Sequence, residues 1–168
     1  NTHDTHENQV NSTDKTQGSQ AVNLTLLSQA IGAFQQEIAF MDKEDKVTGM
    51  TFSEFGRRIK SNASMGTDHG AAAPVIFFGG ALNTSPSAVA NTAYPVSGMI
   101  GTSPELPTTA TTSSQVPMQF DYRQLYTTVM QDWLCMSESE AAEVLGGNYV
   151  KLPIFDSTLL SSINFDDS

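Results

Sequence analysis

The chain has 168 residues, of which 39% are hydrophobic and 8% aromatic, so it can form a folded domain with a core. Its 18 acidic and 8 basic residues give a net charge of -10, which disfavours nucleic acids and anionic membranes as partners, because their phosphates repel such a surface. A single cysteine, Cys135, excludes a disulfide within the chain, and no apolar run reaches membrane-spanning length.

The first half of the chain predicts a loop, a helix and two strands. Residues 1–20 are polar and have no apolar period, which is typical of a loop. Val47–Phe52 and Pro74–Gly80 are short apolar runs that predict strands, and "SEFGRRIKSN" after the first run is compatible with a short helix. Between residues 20 and 41, apolar residues recur at spacings of three and four, which predicts one amphipathic helix from about Gln20. The apolar residues of this helix are Leu24, Leu27, Ile31, Phe34, Ile38 and Met41.

The second half predicts a long connection followed by two helices. Residues 81–117 are rich in Thr, Ser, Ala and Pro, which indicates a long loop or insertion. Helical spacing returns after Phe120, where Asp121 is a favourable N-cap. A second, short helix is predicted from Ser137 as N-cap to Gly146, and we expect Cys135 to be a buried, inert thiol. Helices and strands in this order favour an α/β fold, with sites at the carboxyl ends of strands.

The three histidines of the chain all lie close to an aspartate. His3 and His6 flank Asp4 in "HDTH", and His69 follows Asp68 in "TDHG". Carboxylates and neutral imidazoles are standard ligands of zinc and similar ions, and Asp-x-His places both side chains on one side of an extended segment. The alternative interpretation is that His3 and His6 are solvated residues of a polar loop.

Charged residues also follow the first predicted strand. Glu54 is a candidate metal ligand or general base. Arg57 or Arg58 is a candidate clamp for an anionic substrate group, because a guanidinium matches phosphate or sulfate oxygens with two hydrogen bonds. The alternative for the arginines is a surface pair on a helix.

Four stretches carry a resemblance to a known family. They are "HDTHENQ", "TFSEFGRRIKSNASMGTDHGAAAPVIFFG", "DYRQLYTTVMQDWL" and "VLGGNYVKLPIF". In order and spacing they resemble the C-terminal half of a bacterial family that is number 1501 among the domains of unknown function. That family is related to the superfamily of alkaline phosphatases and sulfatases.

The resemblance implies a fold and a location. The fold would be a partial alkaline-phosphatase-like α/β sandwich, with a central sheet flanked by helices. Residues 1–168 would form a single domain that is the C-terminal portion of a longer protein, and an N-terminal half or another chain would complete it. Export to the periplasm, the cell surface or the medium would be expected.

The resemblance also implies a chemistry, which is metal-dependent hydrolysis of small phosphate or sulfate esters. A divalent metal would be bound, zinc first, with manganese or calcium as alternatives. The nucleophile would lie outside this chain, and Arg57 would hold the anionic ester. The alternative is a non-catalytic secreted or surface assembly protein that retains the fold. The implied metal ligands are Asp4, His6, Glu54, Asp68 and His69.

Overall fold

The computed structural model describes residues 3–84 and 98–163 of the chain. These residues group into two compact units. Unit 1 contains residues 3–44, 49–78 and 104–118, and unit 2 contains residues 45–48, 79–84, 98–103 and 119–163. No helix in the described ranges is long and apolar enough to cross a membrane.

Helix α1 (Ser19–Phe40) is the main helix of unit 1, and it confirms the helix predicted from Gln20. Its predicted apolar face is only partly buried. Ile38 is 4% exposed, whereas Leu24 and Phe34 are 48% and 44% exposed. The spacing therefore predicts the helix correctly, and the structure shows that its apolar face is buried only in part.

Two short strand pairs form the described sheets. Strands β1 (Thr48–Met50) and β4 (Phe77–Gly79) pair with each other, and they confirm the two predicted strands in shorter form. Strands β2 (Gly56–Arg57) and β3 (His69–Gly70) pair in antiparallel orientation.

Strand β2 replaces the short helix considered for "SEFGRRIKSN", so that prediction was wrong. Gly56 faces Gly70 across the pair, and Arg57 faces His69. A Cβ atom on Gly56 would lie 1.7 Å from the carbonyl oxygen of Ala72, and one on Gly70 would lie 2.4 Å from the carbonyl carbon of Arg57. The two glycines thus permit a close approach of backbones, a contact between distant residues that local spacing does not show.

Unit 2 contains three further helices whose ends follow capping rules. Helix α2 (Tyr122–Thr128) continues into a π-helical turn (Val129–Trp133), and α4 (Ser157–Ser162) is the last described helix. Helix α3 (Glu138–Leu145) begins at a Ser137 capping box and ends at Gly146 in the left-handed conformation. The predicted caps of α2 and α3 are therefore confirmed.

The core of unit 2 forms where residues 152–155 pack against the helices. Leu152, Ile154 and Phe155 are buried, and the Phe155 ring stacks on Trp133 with centroids 5.5 Å apart. Cys135 is exposed and has a φ of 55°, so the expectation of a buried thiol was wrong. It lies just after the π-helical turn, outside any helix.

The mixture of helices and small strand pairs is consistent with the α/β class. Each sheet within the described ranges has two strands. Of the segment 81–117, residues 85–97 lie outside the described residues, and the described residues 98–117 contain no helix or strand.

Candidate metal centre

Three of the five predicted ligands lie together in unit 1. Asp4 and His6 belong to the segment before α1, and His69 is in β3. The His69 Nε2 atom lies 2.9 Å from Asp4 Oδ1, and the His6 Nε2 atom lies 3.1 Å from the same oxygen. The two Nε2 atoms are 3.0 Å apart. We call these three side chains the Asp4 cluster.

With Asp4 ionised, hydrogen bonds alone cannot satisfy all three contacts of the Asp4 cluster. If both imidazoles carry hydrogen on Nε2 and donate to Asp4, two N–H groups face each other across the short contact between His6 and His69. If one imidazole donates to the other instead, the accepting Nε2 has no hydrogen for the carboxylate. Either arrangement leaves one pair of like groups at hydrogen-bond distance, whereas a shared cation accommodates all three atoms.

The spacing of the three atoms fits ligands of one metal ion. Zinc binds nitrogen and carboxylate oxygen at about 2.0–2.1 Å, which places two of its tetrahedral ligands about 3.3 Å apart. Octahedral ions with bonds of about 2.1 Å place adjacent ligands about 3.0 Å apart. Two histidines and one carboxylate form a common donor set that leaves further positions open. The three side chains are 44–49% exposed, so small molecules can reach the site.

Asp68, a fourth predicted ligand, lies on the other side of the His6 ring. Its Oδ1 atom is 3.7 Å from His6 Nδ1, the nitrogen that faces away from the Asp4 cluster. A carboxylate in this position orients a ligating imidazole from behind. A role of Asp68 as a direct ligand stays a prediction.

Glu54, the fifth predicted ligand, is exposed and is not part of the Asp4 cluster in the described part of the chain. In this segment it is Phe55 that contacts His69 and Arg57 that contacts Asp4. The Phe55 ring stacks on the His69 ring with centroids 3.5 Å apart and an angle of 14°. A role of Glu54 as a ligand or base likewise stays a prediction.

Arg57 supports the Asp4 carboxylate. One terminal nitrogen donates to Asp4 Oδ1 at 2.7 Å and to the His3 carbonyl at 3.2 Å, and the other donates to the Thr67 carbonyl at 2.9 Å. The hydrogen bond from His69, followed by that from Arg57, lowers the pKa of Asp4 below its ordinary value. The carboxylate is therefore ionised and able to bind a cation at neutral pH. Binding of an anionic ester by Arg57 stays a prediction.

Backbone contacts hold the segment of Asp4 and His6 against residues 62–66. The amides of Asn8 and Gln9 donate to the carbonyls of Ser64 and Met65 at 2.9 and 3.0 Å. A Cβ atom on Gly66 would lie 2.1 Å from the His6 carbonyl oxygen, so this approach requires glycine. Asn62 adds a side-chain hydrogen bond of 2.8 Å to the same carbonyl.

Sequence reasoning missed Phe55, Asn62 and Gly66 as parts of this site. The sequence does carry a signal for Asn62 and Gly66. "NASMG" joins an asparagine to a glycine four residues later, which is typical of a tight turn whose asparagine bonds to its own backbone. No local signal indicates that Phe55 stacks on His69, because the pairing of β2 with β3 creates that contact.

Comparison with known proteins gives one match. The sequence profile of a family described as "Protein of unknown function (DUF1501)" matches residues 1–146. No curated protein and no solved structure matches the chain significantly. The profile covers the Asp4 cluster together with the residues that support it, and most of the chain as a whole. The chain therefore belongs to the DUF1501 family.

Proposed function

We propose that this chain supplies a metal-binding part of a hydrolase-like site that acts on phosphate or sulfate esters. The observation that carries the proposal is the triangle formed by Asp4 Oδ1, His6 Nε2 and His69 Nε2, with sides of 2.9–3.1 Å. These donors suit zinc, and they also suit manganese. Calcium fits less well, because it prefers oxygen ligands.

In this proposal the residues of the chain would have separate roles. A divalent metal bound there would polarise an ester oxygen and offset the charge that develops during hydrolysis. Asp4, His6 and His69 would hold it, and Arg57 would keep the Asp4 carboxylate ionised and oriented. The exposure of the three side chains leaves room for a substrate on the solvent side. The nucleophile would come from outside this chain, in keeping with the resemblance to alkaline phosphatases and sulfatases.

The finer features implied by that resemblance belong to the same proposal. They are a partial alkaline-phosphatase-like sandwich, completion by an N-terminal half or another chain, and an exported location. The grouping of "HDTH" and "TDHG" residues in one cluster is in keeping with a superfamily that gathers its ligands from separate loops. The sandwich, its completion and the exported location rest on the resemblance alone.

The second candidate function is a non-catalytic protein of a surface or secreted assembly. It is favoured by the second face of α1, where Val22 and Leu26, one turn apart, are 52% and 49% exposed. Exposed apolar side chains gathered on one face mark interaction surfaces. This candidate predicts partners of the chain and no binding of ester-like anions at the Asp4 cluster.

The first experiment measures bound metal by elemental mass spectrometry after the purified chain is loaded with zinc and desalted. Wild type and His69→Ala are compared, with His3→Ala as the matched control, because only the backbone carbonyl of His3 contacts Arg57. We expect about one zinc per chain in wild type and His3→Ala, and none in His69→Ala. Equal zinc in all three proteins, or none in any, would overturn the metal site.

The second experiment separates the two functions by titrating the zinc-loaded chain with inorganic phosphate and sulfate in a calorimeter. Metal-dependent ester chemistry predicts anion binding in wild type and His3→Ala, and its loss in His69→Ala. Zinc binding without any anion binding would contradict the hydrolase proposal and favour the assembly protein.

A further inference from the structure

Asn62 uses every polar atom of its side chain within the site. Its Oδ1 atom accepts hydrogen bonds from the amides of Ser64 and Gly66 at 3.0 and 3.1 Å. Its Nδ2 atom donates to the His6 carbonyl at 2.8 Å and to Asp68 Oδ1 at 3.2 Å. The oxygen thus closes the turn of residues 62–66, and the nitrogen reaches out to two other parts of the site.

The two donor contacts of Asn62 converge on His6. One holds the His6 backbone. The other holds the same Asp68 oxygen that lies 3.7 Å from His6 Nδ1. At 3.7 Å the Asp68 carboxylate is beyond hydrogen-bond distance of Nδ1, but its negative charge favours hydrogen on that nitrogen. The lone pair then lies on Nε2, the atom that faces Asp4 and His69.

We infer that Asn62 is a positioning residue that, through Asp68, sets the tautomer and orientation of His6 for metal binding. The inference rests on the proposed metal site, but the contacts of Asn62 and Asp68 around His6 are defined without reference to a metal. Asn62 acts in this proposal as a support and not as a ligand, because its side-chain atoms bond to the His6 carbonyl, Asp68 and the amides of its own turn.

The substitution Asn62→Asp tests this role. It keeps an oxygen that accepts from Ser64 and Gly66, but it removes both donors and places a negative charge beside Asp68. Asn11→Asp is the matched control, because Asn11 Oδ1 accepts from the amides of Thr13 and Asp14 in a similar turn. That turn lies outside the Asp4 cluster and receives the same added charge.

The first readout is the tautomer of His6 in the metal-free chain, measured by nitrogen-15 NMR at about pH 8.5, where an ordinary imidazole is neutral. We expect wild type and Asn11→Asp to carry hydrogen on Nδ1, and Asn62→Asp to shift toward hydrogen on Nε2. The second readout is zinc affinity by competition with a chelator dye. We expect a loss of about 10- to 100-fold in Asn62→Asp, the size typical for supporting partners of metal ligands, and no change in Asn11→Asp.

Asp68→Ala provides an independent route if Asn62→Asp does not fold, because it removes the carboxylate and leaves the turn of Asn62 unchanged. It should shift the His6 tautomer in the same direction. An unchanged His6 tautomer in either folded variant would overturn the role of Asn62, even if His69→Ala still abolishes zinc binding. Conversely, a shifted tautomer in a chain that binds no zinc would keep the positioning role and overturn the metal proposal.

Discussion

The Nε2 atoms of His6 and His69 lie 3.0 Å apart although 63 positions separate the residues in the chain. The contact depends on two independent attachments. The pairing of β2 with β3 places His69, and the backbone contacts of Asn8 and Gln9 with residues 64 and 65 place the segment of His6. Substitutions that disturb either attachment are therefore expected to change metal binding without touching a ligand.

Gly66→Ala should weaken zinc binding. Its Cβ atom would lie 2.1 Å from the His6 carbonyl oxygen and 2.3 Å from the carbonyl carbon, so the backbone of His6 must move away. Gly32→Ala in α1 is the matched control, because nothing lies within 4 Å of its Cβ position. The control should bind zinc normally and gain about 0.5–1 kcal/mol in the free energy of unfolding. A competition titration that gives equal zinc affinities for the two variants would contradict the close-approach argument.

Phe55→Leu should lower zinc affinity by roughly 2- to 10-fold, the equivalent of an aromatic pair worth about 0.5–1.5 kcal/mol. The leucine keeps an apolar side chain but removes the ring that stacks on His69 at 3.5 Å. Phe52→Leu is the control, since Phe52 is 84% exposed and should have no effect. Zinc affinity measured by chelator competition checks both variants. If Phe55→Leu matches wild type, the stacking does not position His69.

Thr128→Val should destabilise unit 2 by about 1–3 kcal/mol. Thr128 is fully buried, and its hydroxyl donates to the Gln124 carbonyl at 2.7 Å and accepts from the Leu152 amide at 2.9 Å. Valine fills the same volume but leaves that amide without its acceptor. Thr25→Val removes a similar bond to a carbonyl four residues earlier, at an exposed position, and should change stability by less than about 0.5 kcal/mol. Urea unfolding of both variants measures the difference.

Asp121→Asn should remove a pH-dependent part of the stability of α2. Hydrogen bonds from the Arg123 side chain and then from its backbone lower the pKa of Asp121 from 3.8 to about 2. Because the folded pKa is the lower one, the ionised carboxylate stabilises the fold above about pH 4, and this stabilisation is lost as the pH falls toward about 2. Both side chains are about a third exposed, so the effect should be small.

Thermal unfolding as a function of pH checks this expectation. The difference in Tm between wild type and Asp121→Asn should be constant from neutral pH to about pH 4 and should shrink between about pH 4 and pH 2. Asparagine is also a good N-cap, so the substitution isolates the charge. A Tm difference that does not depend on pH across this interval would show that the ion pair with Arg123 does not stabilise the fold.

Local signals made much of the fold predictable. The caps at Asp121 and Ser137 follow from side chains that bond to amides two or three residues later, so a few neighbouring residues suffice to identify them. Strand β2 and the exposure of Leu24 and Phe34 could not be predicted in this way. They depend on which distant segment packs against each residue, and periodicity carries no such information.

The candidate site shows the same division. Asp4, His6 and His69 were singled out because carboxylates and imidazoles recur together in the sequence, and the structure brings these three together. That they bind metal stays a prediction. Asp68 and Glu54 have the same chemistry but different neighbours: the first lies behind His6, and the second is exposed beside a phenylalanine that stacks on His69. Residue type therefore identified the candidates, and tertiary contacts decide their positions.

The segment that carries Asp4 and His6 has no helix or strand between residues 3 and 18, and a small number of hydrogen bonds joins it to residues 62–66. Such a segment can open as a local unit while the rest of the fold stays intact. The amides of Asn8 and Gln9, which donate across this junction, are thus natural reporters of its opening by hydrogen exchange. Slower exchange at these two amides in the presence of zinc would show that a cation bound at the Asp4 cluster also stabilises the hydrogen bonds between this segment and residues 62–66.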